Sequence, residues 1–306
     1  MANRIGIDVV IGTLFHGRAL GKAQSEILGF AAKTSAALAG VGIVSGKLAT
    51  DFEKGFAQVN TIVGLTGKEF DKLRAGALAV AADSSFAIGD LNKALFDLVS
   101  AGVPATNAID ALRLSSEAAT AGAASLSDAV NAGISVVNAF GLEASDLSDV
   151  FDVQFATVKR GVTTFQELAA FQGQLIPQAT ALGVSFKEMF GALGFLTTQG
   201  QRTRIAVSGL GNAFVSMAQQ EEKLRKEGIR LFDAQTGQFR GLVPVVADFQ
   251  RRLEGLSDAQ KSAFFADVNL SQEAQRAIVP MINQFLRFRD TVTDVADESG
   301  GAMEDA

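Results

Sequence analysis

Few residues in this sequence carry the side chains on which enzyme chemistry usually rests. His16 is the single histidine, and there is no cysteine. One imidazole cannot build a metal cluster, and no serine–aspartate pair can be placed beside it to suggest a triad. Without thiols there is no thiolate nucleophile, disulfide frame or cysteine-ligated metal. Asp146, Asp149 and Asp152 recur every third residue, on one face of a helix. Such spacing alone is not a coordination sphere, and a solvated face explains it better. Asp233–Gly237, "DAQTG", has the outline of a calcium loop but lacks its alternating acids and distal glutamate, so it reads as a turn. "GLGNA", Gly209–Ala213, contains G-x-G without a preceding strand and reads as close helix packing. Arg202, Arg204, Lys223, Arg225, Lys226 and Arg230 form a basic region interleaved with Glu221, Glu222 and Glu227, as expected of a salt-laced surface. No catalytic, cofactor-binding or metal-ligating residue is assigned, and the reading is that of a protein that is not an enzyme.

The composition points the same way. The chain has 306 residues, 48% hydrophobic and 20% charged, enough to bury a sizeable core. It carries 23 Phe and no Tyr or Trp. Phenylalanine packs but has no polar handle, so the aromatics read as core rather than as a wet binding surface. The net charge is −6, whereas proteins that grip nucleic acid phosphates are usually basic, so no specific nucleic acid binding is expected. The N-terminus lacks the features of a signal peptide, since Asp8 breaks its apolar run. Between Lys33 and Lys47 lies an uncharged stretch, Thr34–Gly46, with small residues spaced by four at Ala36/Gly40 and Gly42/Gly46. It is shorter than the roughly 20 residues that span a bilayer. Two readings stand: a buried Ala/Gly-rich helix, or a face for self-association or late membrane contact.

The elements that must position these residues read as mainly α. Only four prolines interrupt the chain, at 104, 177, 244 and 280. The β-branched run at 5–11 suggests an N-terminal strand or arm, and residues from about 18 to 60 suggest a long helix. Thr66 with Glu69 has capping-box spacing, and Ser257 stands where an N-cap belongs. Residues 229–241 alternate apolar and polar around Thr236-Gly237, which predicts a short β-hairpin. After Arg289 every charged residue is acidic, which predicts a frayed, solvated tail.

Three segments repeat one pattern: Asp90–Gly102, Asp128–Gly141 and Glu188–Gly200. Each opens with an acid, has Ala four residues later (Ala94, Ala132, Ala192) and closes on Gly. Ser125 and Ser185 precede two of the acids at capping distance. A serine caps free N–H groups, an acid suits the positive helix end, and glycine supplies the left-handed stop. A second helical segment follows each glycine, so the expected architecture is stacked αα-hairpins. The expected division is 1–62 (arm and long helix), 63–220 (hairpin core), 221–289 (β-hairpin plus helices closing the core) and 290–306 (tail).

An ordered set of strings carries a family resemblance. They are "FEKGFAQV" (Phe52–Val59), "ALFDLVSAG" (Ala94–Gly102), "VVNAFG" (Val136–Gly141), "FATVKRGVTTFQELA" (Phe155–Ala169), "IPQATALGVSFKEMFGALGFLTTQG" (Ile176–Gly200) and "GIRLFDAQTGQFRGL" (Gly228–Leu242). In this order, over roughly residues 50–306, the chain resembles the core region of TP901-type bacteriophage tail tape measure proteins. The resemblance implies a virion structural protein that acts as a ruler in the tail lumen and leaves ahead of the DNA. Implied partners are tail tube protein, tail assembly chaperones, distal tail or baseplate proteins and further copies of itself, after assembly in the host cytoplasm. Family members are usually much longer. A fully helical chain of 306 residues would reach about 460 Å at roughly 1.5 Å per residue, and hairpins shorten that several-fold. The chain is therefore expected to be the N-terminal portion of a longer product. The alternatives are a generic helical scaffold or a membrane-active conduit component.

Overall fold

A computed structural model describes residues 46–298 and Met303; for residues 46–49 and 51 it describes the backbone alone. The expected N-terminal strand, His16 and residues 34–45 of the small-residue stretch lie outside the described residues. The chain divides into two compact units, Met1–Lys54 and Gly55–Ala306. Among the described residues the second unit holds every helix except the first part of α1 (Gly46–Val63), which belongs to the other unit.

The order of helices is α2 (Gly67–Asp83), α3 (Ile88–Ser100), α4 (Ala108–Ala121), α5 (Leu126–Phe140), α6 (Leu147–Arg160), α7 (Phe165–Phe171), α8 (Ile176–Leu182) and α9 (Phe186–Thr198). Then come α10 (Thr203–Gln219), α11 (Glu221–Lys226), α12 (Leu242–Leu253), α13 (Asp258–Asp267), α14 (Gln272–Asn283) and α15 (Phe285–Asp297). Short 3-10 turns precede α6 and α8. Among the described residues there is no strand; the expected β-hairpin is reduced to one antiparallel bridge between Phe232 and Phe239.

The repeat is built as its residues dictate. Ser125 Oγ accepts from Asp128 N at 3.1 Å, and Ser185 Oγ from Glu188 N at 3.2 Å. Gly102, Gly141 and Gly200 all have positive φ (96°, 65° and 83°), the region glycine enters without steric cost. Ala94, Ala132 and Ala192 are buried, so the shared alanine marks the packed face of α3, α5 and α9. Ser257 closes a full capping box with Gln260. Thr66 does not: its backbone is extended as an N-cap requires, but its side chain makes no capping bond.

Helices α3, α4 and α5 pack on one another, and α2 lies on α4. Local hairpins are only part of the core, because the C-terminal helices fold back over it. The most extensive helix contacts are α9 with α15 and α10 with α14. Phe195 of α9 meets Phe288 of α15 edge-on at 5.5 Å. Phe155 of α6 stacks on Phe165 of α7 at 4.9 Å, and Phe151 tilts against the same ring. Fully buried rings of this kind contribute on the order of 2–3 kcal/mol each through lost apolar exposure.

The acidic C-terminal stretch corrects the expectation of a frayed tail as far as it is described. It stays helical to Asp297, with Phe288, Val292 and Val295 buried at helical spacing. Its acids hold α6: Arg160 pairs with Asp294 at 3.1 Å and with Glu298 at 2.5 Å. Farther on, Met303 is buried and its N–H donates to Asp152 Oδ1 at 3.0 Å.

Candidate functional site

The most constrained polar assembly surrounds the turn between α11 and α12. Gly228, at φ 85°, releases the chain from α11, and Ile229 and Leu231 are fully buried beneath the turn. Asp233 N donates to Gln238 O at 2.8 Å and Arg240 N to Leu231 O at 2.9 Å, flanking the Phe232–Phe239 bridge. At the tip Asp233 Oδ1 accepts from Thr236 N at 2.8 Å and Gln235 N at 2.9 Å. Those N–H groups hold the Asp233 carboxyl below its ordinary value. "DAQTG" is therefore a turn in which the aspartate serves the backbone, with Gly237 at φ 69°. Residues 232–238 are all exposed.

Two carboxylates clamp the stems of this turn. Asp248 of α12 has a side chain only 1% exposed. It accepts from Arg230 N at 3.2 Å and Arg240 Nη1 at 2.6 Å, and also pairs with Arg251. Arg240 Nη1 further donates to Arg230 O at 2.8 Å, which ties the two stems to one guanidinium. Burial disfavours the charged form of Asp248. The Arg240 hydrogen bond, the Arg230 N–H and the two arginine charges outweigh it, and the carboxyl lies below its ordinary value. The second clamp is Glu188 of α9, whose Oε1 accepts from Leu242 N, in the open first turn of α12, at 2.7 Å. Gly241 between them has φ 95°, and a Cβ there would lie 2.7 Å from Glu188 Oε1. The result is an exposed tip held at its base by a buried carboxylate, Asp248, and a half-buried one, Glu188.

The residues that stand out in the sequence fall apart spatially and into ordinary roles. Asp146 closes a capping box with Glu143, Asp149 pairs with Lys187 at 3.1 Å, and Asp152 binds Met303 N. In α10 Gly209 faces Glu273 and Ala277 of α14, while Gly211 faces Leu175 and Gln178, so "GLGNA" is a packing motif. The basic region is laced in part: Lys226 pairs with Glu222 at 2.8 Å and Arg225 with Glu221 at 3.6 Å, whereas Glu227 pairs outside the region, with Arg252 of α12 at 2.6 Å. Residue type and spacing do not single out Asp248. Its signal is an acid between Val245 and Arg252 on the face where Leu242, Val245, Val246, Phe249 and Leu253 are buried. A second buried polar group carries no sequence signal of its own: Gln154 and Gln172 both donate to Ala132 O, at 3.2 and 2.7 Å.

The helical core and its clamped turn coincide with the span of a known family. A family model described as "Phage-related minor tail protein" matches residues 74–268. The chain belongs to that family. Among curated relatives, a "Probable tape measure protein" of Clostridium phage phiCD119 is 27% identical over 168 residues, 51% of this chain and 18% of the relative. A "Tape measure protein" of Pneumococcus phage Dp-1 is 21% identical over 272 residues, 88% of this chain and 24% of the relative. The chain thus spans a quarter or less of the length of these relatives. No solved structure matches. The family is that of a structural tail component. No described helix is long and apolar enough to cross a membrane.

Proposed function

We propose that this chain is the core portion of a phage tail tape measure protein, of the TP901 type, with a passive structural role rather than a catalytic one. The observation that carries this reading is the family match over 74–268, which runs from α2 to the end of α13 and includes both carboxylate clamps. Similarity to a protein named as a tape measure then extends over 88% of the chain. In this reading residues 63–220 form the core and 221–289 close it. The protein assembles in the host cytoplasm with tube protein, assembly chaperones and distal tail or baseplate proteins, in several copies, and ends in the tail lumen. Length measurement resides mainly in the much longer remainder that the relatives possess. In-frame deletions and duplications downstream of this segment in the phage gene test the reading. Tail length measured by electron microscopy is expected to change in proportion to the residues removed or added, while tails of unchanged length would remove the ruler role.

A further inference from the structure

The α6–α7 loop, the α9–α10 loop and the α14–α15 junction meet around the C-terminal end of α9. Val162 N donates to Thr197 Oγ1 at 2.9 Å, and the hydroxyls of Thr163 and Thr203 lie 2.7 Å apart. Gln284 donates its Nε2 to Gln199 Oε1 at 2.5 Å, and Gln201 donates to Arg276 O at 2.8 Å. Apolar side chains stand out in solvent here. Val162 is 70% exposed and Leu286, in the first turn of α15, 64%, the two highest values for large apolar side chains among the described residues. Ile205, in the first turn of α10, is a third.

The same end carries Arg202, Arg204, Arg276 and Arg287, all exposed. None of them has an ion partner among the described residues, whereas the other described arginines, Arg230 aside, are engaged. The acids on these segments do not neutralise them. Glu167 accepts from Thr203 Oγ1 at 2.6 Å, Asp290 pairs with Arg289, and Asp294 and Glu298 pair with Arg160. Glu273, three residues before Arg276, makes no ion pair among the described residues. In a chain of net charge −6, unpaired arginines thus gather beside its most exposed apolar side chains.

The residue type points to the occupant. A guanidinium is a planar fork that grips a carboxylate through two parallel N–H···O bonds, and it is more weakly hydrated than an ammonium. Arginine is enriched at protein interfaces and lysine depleted. Nucleic acid phosphates would use the charge but leave Val162 and Leu286 without a role. A second copy fits poorly through its acidic C-terminal helix, because those acids are already paired with Arg160 and Arg289.

We propose that this end of the helical core docks an acidic segment of a partner protein. Apolar side chains of the segment cover Val162, Ile205 and Leu286, and its carboxylates pair with Arg202, Arg204, Arg276 and Arg287. Charge and exposure carry this surface, so it goes beyond the ruler reading and does not depend on it.

Because the chain as a whole is acidic, most of its surface repels an acidic probe, and binding reports this end. The probe is a synthetic peptide in which Glu and Leu recur at helical spacing, followed by fluorescence anisotropy against the full chain at physiological salt. It is expected to bind. R202E/R287E and, separately, V162S/L286S are each expected to weaken binding about tenfold or more. The matched reversal K68E/K72E on exposed positions of α2 is expected to change it less than about twofold, since charges far from the contact are screened. All these side chains are exposed, so thermal unfolding is expected to be unchanged; should R202E/R287E unfold, R204Q/R276Q reads the same surface with a milder change. Absence of binding would overturn the proposal. So would equal binding of a peptide with Ser for Leu or with Lys for Glu, or equal weakening by K68E/K72E. Tighter binding of a double-stranded DNA oligonucleotide would assign the arginines to nucleic acid and overturn it as well. Tail length in the phage reads a different quantity, so either proposal can fail while the other stands.

Discussion

Gln201 donates its side-chain Nε2 to the carbonyl of Arg276 at 2.8 Å, and that carbonyl is the acceptor orphaned by Pro280. In an uninterrupted helix the N–H of residue 280 would bond the carbonyl of residue 276. Proline has no N–H, so α14 keeps its course only with an outside donor, and the loop between α9 and α10 supplies it.

This relationship predicts non-additivity. Q201A is expected to cost about 1 kcal/mol in denaturant unfolding, the usual net worth of one such hydrogen bond. In a P280A background the backbone N–H of the introduced alanine takes over the acceptor, and the same substitution is expected to cost less than half as much. Equal costs in the two backgrounds would show that Gln201 acts elsewhere.

Asp248 predicts a pH signature. Its folded carboxyl lies below the ordinary value, so its contribution is fully present above the unfolded value of about 3.9 and is lost as pH falls through the folded one. D248N is expected to lower stability by about 2 kcal/mol at neutral pH, because it leaves Arg240 and the Arg230 N–H poorly paired. The gap between the two proteins should stay constant from about pH 6 to 8 and close below about pH 4, as followed by urea midpoints at each pH. A gap that widens on acidification contradicts the clamp.

The link from Asp152 to Met303 is read in hydrogen exchange. D152A removes the acceptor of the Met303 N–H. Exchange at that amide is expected to quicken about fivefold, corresponding to roughly 1 kcal/mol, while the amides in the middle of α15 keep their protection. Unaltered exchange at Met303 would mean that burial alone protects it.

Local chemistry is legible wherever it is self-contained. Ser125, Ser185 and Ser257 cap the helices they precede, and Gly102, Gly141 and Gly200 stop theirs, because a cap depends on residues three or four positions away. Thr66 has the same spacing but forms no side-chain cap, so spacing offers the bond without enforcing it. The hairpin shows the limit of alternation. Its turn at Gly237 forms, but its stems are claimed by Asp248 and Glu188, which lie close only once α12 and α9 have packed. The stretch after Arg289 misleads because its acids stand out, while Phe288, Val292 and Val295 follow the quieter helical period. Nothing local says that α9 will be covered by α15, a hundred residues on, and the acids of that helix find Arg160 only after the return.

That long-range contact gives the sharpest test of the fold. Gly191 sits where α9 meets α15, and a Cβ there would lie 2.8 Å from Val292 Cα, a backbone atom that cannot rotate away. Gly209 sits where α10 meets α14, and its Cβ would find Glu273 O at 3.4 Å and Ala277 Cβ at 3.7 Å, ordinary contacts. Both glycines are within helices, where alanine is favoured by about 1 kcal/mol. G209A is therefore expected to be neutral or stabilising by up to about 1 kcal/mol. G191A must push two helix backbones apart, and overpacking of that kind costs about 1–3 kcal/mol, more than the propensity gain returns. Thermal unfolding of the pair of variants checks this directly: opposite signs, or a clear loss at 191 beside no loss at 209, match the packing. A stabilised G191A would mean that α9 and α15 do not approach so closely, and with them the return of the C-terminal helices over the core would fall.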